Sequence, residues 1–212
     1  SHVFVEKPLC LTHAELDRIA AAQEAARRYV QVGTNRRFSP YTTAVREALG
    51  HRADPITLTV RINAGALPAE HWLRDREVGG GRLIGEGVHW IDWCQAVVDA
   101  PIRRVVATAS PGGPTALPED TWTATLTFAD GSLATVVYGS EGPRSLGKER
   151  MEVLGVGRTA IIDDWAAGEL WSAGGKRRLR VGRGQQKGFR QQLAAFVDAV
   201  RTGRPAVPLD VT

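Results

Sequence analysis

The 212-residue sequence predicts an α+β fold. A large, mostly antiparallel open sheet carries helices on one face, and a βαβ unit precedes it. Three observations predict this. From about residue 102 onward, short β-branched segments recur between turn signals, the pattern of a meander. The chain opens on strand, helix, strand, the pattern of a parallel unit. Near residues 83–99 and again near the end, apolar residues recur at helical spacing.

The elements follow in order. "VFV" (3–5) is short, apolar and β-branched and reads as a buried parallel strand stopped by Pro8. Thr12 to Glu15, "THAE", is a capping box opening an alanine-rich helix to about Arg28. "YVQVGTNRR" is a second strand. One βαβ unit cannot bury its own faces, so residues 1–36 are expected to be the end of a dinucleotide-binding sheet whose other strands lie upstream. Residues 37–212 are expected to form a second, α+β domain. It begins with a short helix over 42–49. "ITLTVRINA" alternates as a strand, and a loop runs through "GALPAEHWLRD". "RLIGEGVHWIDWCQAVVDA" is a helix apolar nearly all round, hence buried. Seven strands follow, from "IRRVVATAS" to "KRRLRVG", with a hairpin turn at "ADGS" (129–132). The last helix carries Leu193, Phe196, Val197 and Val200 on one face and ends at "TGRP".

Composition bounds the function. There are 27 Lys and Arg against 23 Asp and Glu, a net charge of +4. This permits anionic ligands without implying nucleic acid. Two cysteines without a CxxC pattern exclude a disulfide scaffold or zinc ribbon and suit a reducing compartment. No apolar run reaches the roughly 18 residues that span a bilayer. A cytoplasmic protein without a membrane partner is expected.

Three stretches could carry chemistry. Glu6-Lys7-Pro8 closes a parallel strand, where side chains point into the ligand crevice; Lys7 could donate a proton or hold an anion, or be a surface lysine paired with glutamate. Glu86, His89 and Asp92 lie three apart on a buried helix and must be hydrogen-bonded or face a cavity. They could be a satisfied His–Asp core pair, a metal site, or acid–base machinery with His89 as proton carrier. Arg36 and Arg37 follow a strand and could bind carboxylate or phosphate, or form a solvated face. Two motifs are decoys. "GVGRTA" (155–160) resembles a dinucleotide loop, but a strand-like "IIDDW" follows it rather than a helix, so it is a hairpin turn. The basic run 176–183 is a charged sheet edge rather than a nucleic-acid site.

Taken together, "EKP" after a strand, "GTNRRFSP" one βα unit later, "GGGRLIGEGVHWID" opening the buried helix, "KGF" and the closing "QQLAAFVDAVRTGRP" resemble the glucose–fructose oxidoreductase, inositol dehydrogenase and MocA family of NAD(P)-dependent oxidoreductases. The resemblance spans almost the whole chain. It implies hydride transfer between NAD or NADP and a hydroxyl-bearing carbon of a sugar, cyclitol or nucleotide-sugar. It implies a catalytic Lys7, His89 as acid–base group, and Asp92 and Glu86 in support. Glu6, Lys7, Pro8, Arg36 and Arg37 are expected near the cofactor. Lys7, Asn35, Arg37, Trp72 and His89 are expected near the substrate. No metal is expected.

The sequence departs from the family at one position. Many members carry Asp four residues before the histidine; here that residue is Gly85, and the acid is Glu86. The glycine-rich loop and the ribose-binding acid are expected upstream of Val3, so these 212 residues alone are expected to be inactive. Homo-oligomerisation through the open sheet face is expected, since such a face needs cover. The rival reading is a binding or scaffolding module that keeps the fold without the chemistry.

Overall fold

The computed structural model describes residues 1–112, 117–205 and 207. It contains a two-stranded parallel sheet and an eight-stranded sheet. The small sheet pairs β1 (Val3–Val5) with β2 (Val30–Val32), and α1 (His13–Ala26) crosses between them. Thr12 caps α1 as expected: its Oγ1 accepts from Glu15 N, and Glu15 Oε2 accepts from Thr12 N. No residue of α1 is buried.

A short 3-10 turn (Asn35–Phe38) leads into α2 (Pro40–Leu49), N-capped by Ser39. The large sheet then collects β3 (Thr57–Asn63), β4 (Ile102–Ala109), β5 (Trp122–Phe128), β6 (Leu133–Gly139), β7 (Glu149–Gly155), β8 (Arg158–Asp163), β9 (Ala167–Ser172) and β10 (Gly175–Arg178). Their order across the sheet is β10-β9-β8-β7-β3-β6-β5-β4. Only β3 and β6 pair in parallel; the other neighbours are antiparallel. Alternation sorts the strands into two faces. Leu58, Val60, Leu126, Val136, Met151 and Ile162 point inward and are buried, under α2 and α3 (Val88–Val98). The outward face of β5 and β6 presents Thr123, Thr125, Leu133 and Val137 to solvent.

"GVGRTA" is the expected hairpin: β7 and β8 pair antiparallel and turn at Val156-Gly157, both with positive φ. The "ADGS" turn joins β5 to β6, with Gly131 at positive φ.

Two expectations need correction. The helix around residues 83–99 is not buried all round: Trp90, Trp93, Cys94 and Val97 are, but Gln95 is exposed, and Val88, Ile91 and Asp92 line a cavity. Nor does the last helix, α4 (Phe189–Thr202), bury its regular apolar stripe. Leu193, Val197 and Val200 are exposed, while Gln192 and Ala199 are buried. Phe196 alone of the stripe packs on aromatic rings, with Phe4 and Tyr29 at centroid distances of 5.6 and 5.8 Å. Polar bonds set this rotation: Gln192 Nε2 donates to Val32 O (3.0 Å) and Gln31 Nε2 donates to Gln192 O (3.2 Å).

Candidate active site

The site forms where the end of β1 meets the start of the buried helix. Residues Leu83–Gly87 form a π-helical turn that runs into α3. A π-turn shifts the backbone bonding by one residue and is frequent at functional sites. Here the Gly85 carbonyl accepts a hydrogen bond from Lys7 Nζ at 2.5 Å. Lys7 lies two residues past the end of β1 and precedes Pro8 through a cis peptide bond. Burial pulls its ammonium below the usual lysine range; Glu86 opposes the fall, and Arg36 and Lys148 add to it. Glu6 packs against the end of β2, where a Cβ on Gly33 would lie 2.7 Å from Glu6 Oε2.

Gly85 cannot simply carry the family's aspartate. A Cβ there would lie 2.0 Å from Leu73 Cδ2 and 2.8 Å from the Gly79 carbonyl oxygen. Glu86, one residue on, turns to β6 and the start of β7. Its carboxylate accepts from Tyr138 Oη, from Lys148 Nζ at 2.8 Å and from Arg82 Nη1 at 3.4 Å. Burial would raise its pKa, but Lys148, Tyr138 and Arg82 outweigh burial and hold Glu86 below the usual glutamate range. Arg82 also donates to Tyr138 Oη and to Gly65 O, which fixes the phenol as donor to Glu86.

His89 is buried, and its Nδ1 has no hydrogen-bond partner among the described residues. Burial lowers its pKa to about 3, helped by Arg36 and Lys7 and resisted by Glu149 and Glu86. The imidazole is therefore neutral near pH 7. It can accept a proton or donate a hydrogen bond, but carries no proton charge of its own.

Asp92 lies elsewhere. Both its oxygens take Arg37, at 2.5–3.0 Å, as a bidentate pair. Among the described residues no His89–Asp92 hydrogen bond is seen: both Asp92 oxygens go to Arg37, and Nδ1 of His89 is unpartnered. His89 and Asp92 both lie in α3, while Glu86 lies in the π-turn, whose altered bonding takes it out of the regular helical register of the other two. Among the described residues no group of three His, Cys, Asp or Glu side chains could hold a metal ion.

The paired arginines are not a solvated face. Arg36 is buried and bonds Glu149 through Nε (3.2 Å) and Nη2 (2.7 Å), with Nη1 on Asn35 Oδ1 at 2.8 Å. Glu149 is fully buried and also accepts from the indoles of Trp90 (2.9 Å) and Trp165 (2.7 Å). Burial acts to raise its pKa, but Arg36 and the indoles dominate and bring it to about 2. Arg36 thus ties the end of the parallel unit into the large sheet. Asn35 ties it to the segment before α4, its Nδ2 donating to Lys187 O at 2.8 Å. Trp72 stands apart in the 3-10 turn Trp72–Arg74, half-exposed and stacked on His71.

Tyr138, Lys148, Arg82 and Glu149 were missed in the sequence reading. One signal was available. Alternation in "ERMEVLG" puts Glu149 inward with Met151 and Val153, and an inward carboxylate demands a cationic partner.

The pattern of the GFO/IDH/MocA C-terminal domain matches residues 49–160. The chain belongs to this family. Among GFO/IDH/MocA relatives, it is 25% identical to a myo-inositol 2-dehydrogenase of Thermotoga maritima, over 96% of this chain and 64% of that protein. An aldose-aldose oxidoreductase structure from Caulobacter crescentus superposes at a TM-score of 0.82, with 22% identity, over all of this chain and 65% of that one. The protein GenD2 of gentamicin A biosynthesis, solved in complex with NAD, superposes at 0.76, with 24% identity, over 99% of this chain and 65% of that one. These structural likenesses speak to the fold. The chain spans 48% and 64% of the length of the first two curated relatives it matches. No helix of the described residues is long and apolar enough to cross a membrane.

Proposed function

We propose that this chain is the catalytic and substrate-binding part of an NAD(P)-dependent dehydrogenase acting on a hydroxyl-bearing carbon of a sugar, cyclitol or nucleotide-sugar. The observation that carries the reading is Lys7. A half-buried ammonium of lowered pKa sits at a parallel strand's end, bonded to the helix turn that presents His89. Residues 1–36 are read as the last βαβ unit of a dinucleotide-binding domain. Three facts support it: the sheet has two strands, α1 buries no residue, and α4 leaves an apolar stripe exposed beside β2. NAD in the GenD2 structure and the inositol and aldose activities named for the relatives favour the same chemistry.

The residues present suit the reacting end of such a cofactor, because the ends of β1 and β2 are the crevice position where nicotinamide-type ligands bind. When bound, the cofactor would accept or supply the hydride. Lys7 would polarise the substrate oxygen. Neutral His89 would take the hydroxyl proton, with Glu86 holding the local charge and Tyr138 and Arg82 holding Glu86. Arg36, Arg37 and Asp92 would frame the junction between the two domains.

A scaffolding role is the second reading, favoured by Gly85 where an acid is usual. The test is cofactor reduction by the full-length protein across neutral and charged sugars and inositols, with Lys7→Met and His89→Asn beside it. Turnover lost in both variants supports the dehydrogenase. A full-length protein that turns over nothing, while its ligand binding survives both changes, supports the scaffold.

A further inference from the structure

We propose that the compound processed at this site carries an anionic group, a carboxylate or a phosphate, that docks on Lys148. The inference rests on the dehydrogenase reading above and narrows its substrate.

Charge around His89 is unbalanced. Two carboxylates, Glu86 and Glu149, lie there. Glu86 is met by Lys148 and by Arg82, which also lies 3.7 Å from Asp120, and Glu149 by Arg36 and by Lys187 at 3.7 Å. Both are thus matched before Lys7 is counted, and the hydrogen-bond partner of Lys7 is a neutral carbonyl. Glu6 acts on Lys7 only as a weaker, longer-range charge. Around a buried imidazole such an excess is costly without a counter-anion.

Lys148 is the cation placed to take one. Its ammonium spends one bond on Glu86 and sits 5.9 Å from the Trp90 ring centroid. Its side chain is 36% exposed, against 2% for Arg82 and 10% for Arg36. An ammonium has three donors, so two remain for a ligand. The buried, unpartnered Nδ1 of His89 is a second group awaiting a ligand atom. A neutral polyol would satisfy that nitrogen but leave the cations uncompensated. An anionic one does both, and it lowers the cost of placing a proton on His89.

The test measures calorimetric binding and cofactor-linked turnover of the full-length protein with D-glucose, D-glucuronate and D-glucose 6-phosphate. Lys148→Gln and Lys148→Arg are run alongside. One charged sugar should bind at least about 10-fold tighter than glucose, as expected for a charge-assisted hydrogen bond. Which one wins tells carboxylate from phosphate. Lys148→Gln should weaken that sugar about 10-fold more than glucose, and Lys148→Arg should keep most of the preference. Equal, reversed or undetectable binding of all three overturns the inference, as does a Lys148→Gln loss that ignores charge. Turnover of neutral sugars alone also overturns it while leaving the dehydrogenase standing. Lys148-dependent anion binding without turnover of any sugar keeps the anion site and removes the dehydrogenase.

Discussion

Lys7 and Gly85 are 78 residues apart, yet the ammonium of one is hydrogen-bonded to the carbonyl of the other at 2.5 Å. This contact joins the parallel unit to the π-turn before α3 and sets the lysine beside the helix that carries His89. Replacing Lys7 with Met should leave the fold in place and cut turnover of the full-length protein by roughly 10²–10⁴-fold, the range for a lost acid–base or polarising group. Steady-state kinetics and a thermal melt run together check this. A variant within a few-fold of wild-type turnover would remove Lys7 from the chemistry.

Reinstating the family's acid should fail. Gly85→Asp and Gly85→Ala both place a Cβ against Leu73 and the Gly79 carbonyl, and should destabilise by about 1–3 kcal/mol. The double change Gly85→Ala with Leu73→Ala should recover part of the loss relative to the sum of the singles. Denaturant titration of all three measures the coupling, and strict additivity would mean the two do not touch.

Glu149→Ala should be the most damaging of the changes considered. It leaves the Arg36 guanidinium buried without a counter-ion and two indole N–H groups unpaired, at a cost of about 3–5 kcal/mol. The intact group predicts an acid limit too. Its folded pKa of about 2 lies below the glutamate value of 4.5, so its stabilisation is present above pH 4.5 and is lost as pH falls toward 2. Melting temperatures of the wild type and Glu149→Gln across this window should converge at its acid end.

His89 titrates in the same sense but in a higher window. Its folded pKa of about 3 lies below the ordinary 6.5, so between these values the unfolded chain binds the extra proton. Stability should therefore fall as pH drops from 6.5 to 3, with this group contributing up to about 1.4 kcal/mol per unit. His89→Gln should flatten that part of the profile. An unchanged slope would mean the imidazole is not buried neutral.

The outward face of the large sheet makes the fifth case. Thr123, Thr125, Leu133 and Val137 form an uncharged, partly apolar surface on β5 and β6. If two copies cover it, Val137→Lys should halve the mass seen by light scattering without lowering the melting point of the monomer. A wild-type mass equal to one chain at micromolar concentration would end the idea.

The sequence by itself determined the elements. Capping at Thr12, the two-residue turn at Val156-Gly157, the alternation of β5 to β8 and the helical period near Trp90 are local signals, set by neighbours a few residues apart. The same locality marked Lys7, Glu86 and His89 as worth attention. Tertiary structure decided who meets whom. Lys7 could have been a surface ion pair, and Asp92 could have served His89; the π-turn and the crossing of α3 over the sheet sent Asp92 to Arg37 and Glu86 to Tyr138 and Lys148. Arg36 could have been a ligand-binding cation or a solvated charge until Glu149, 113 residues on, came to lie against it. Side-chain pairing depends on contacts between segments far apart in the chain, and residue spacing carries no information about which buried carboxylate a given cation will find.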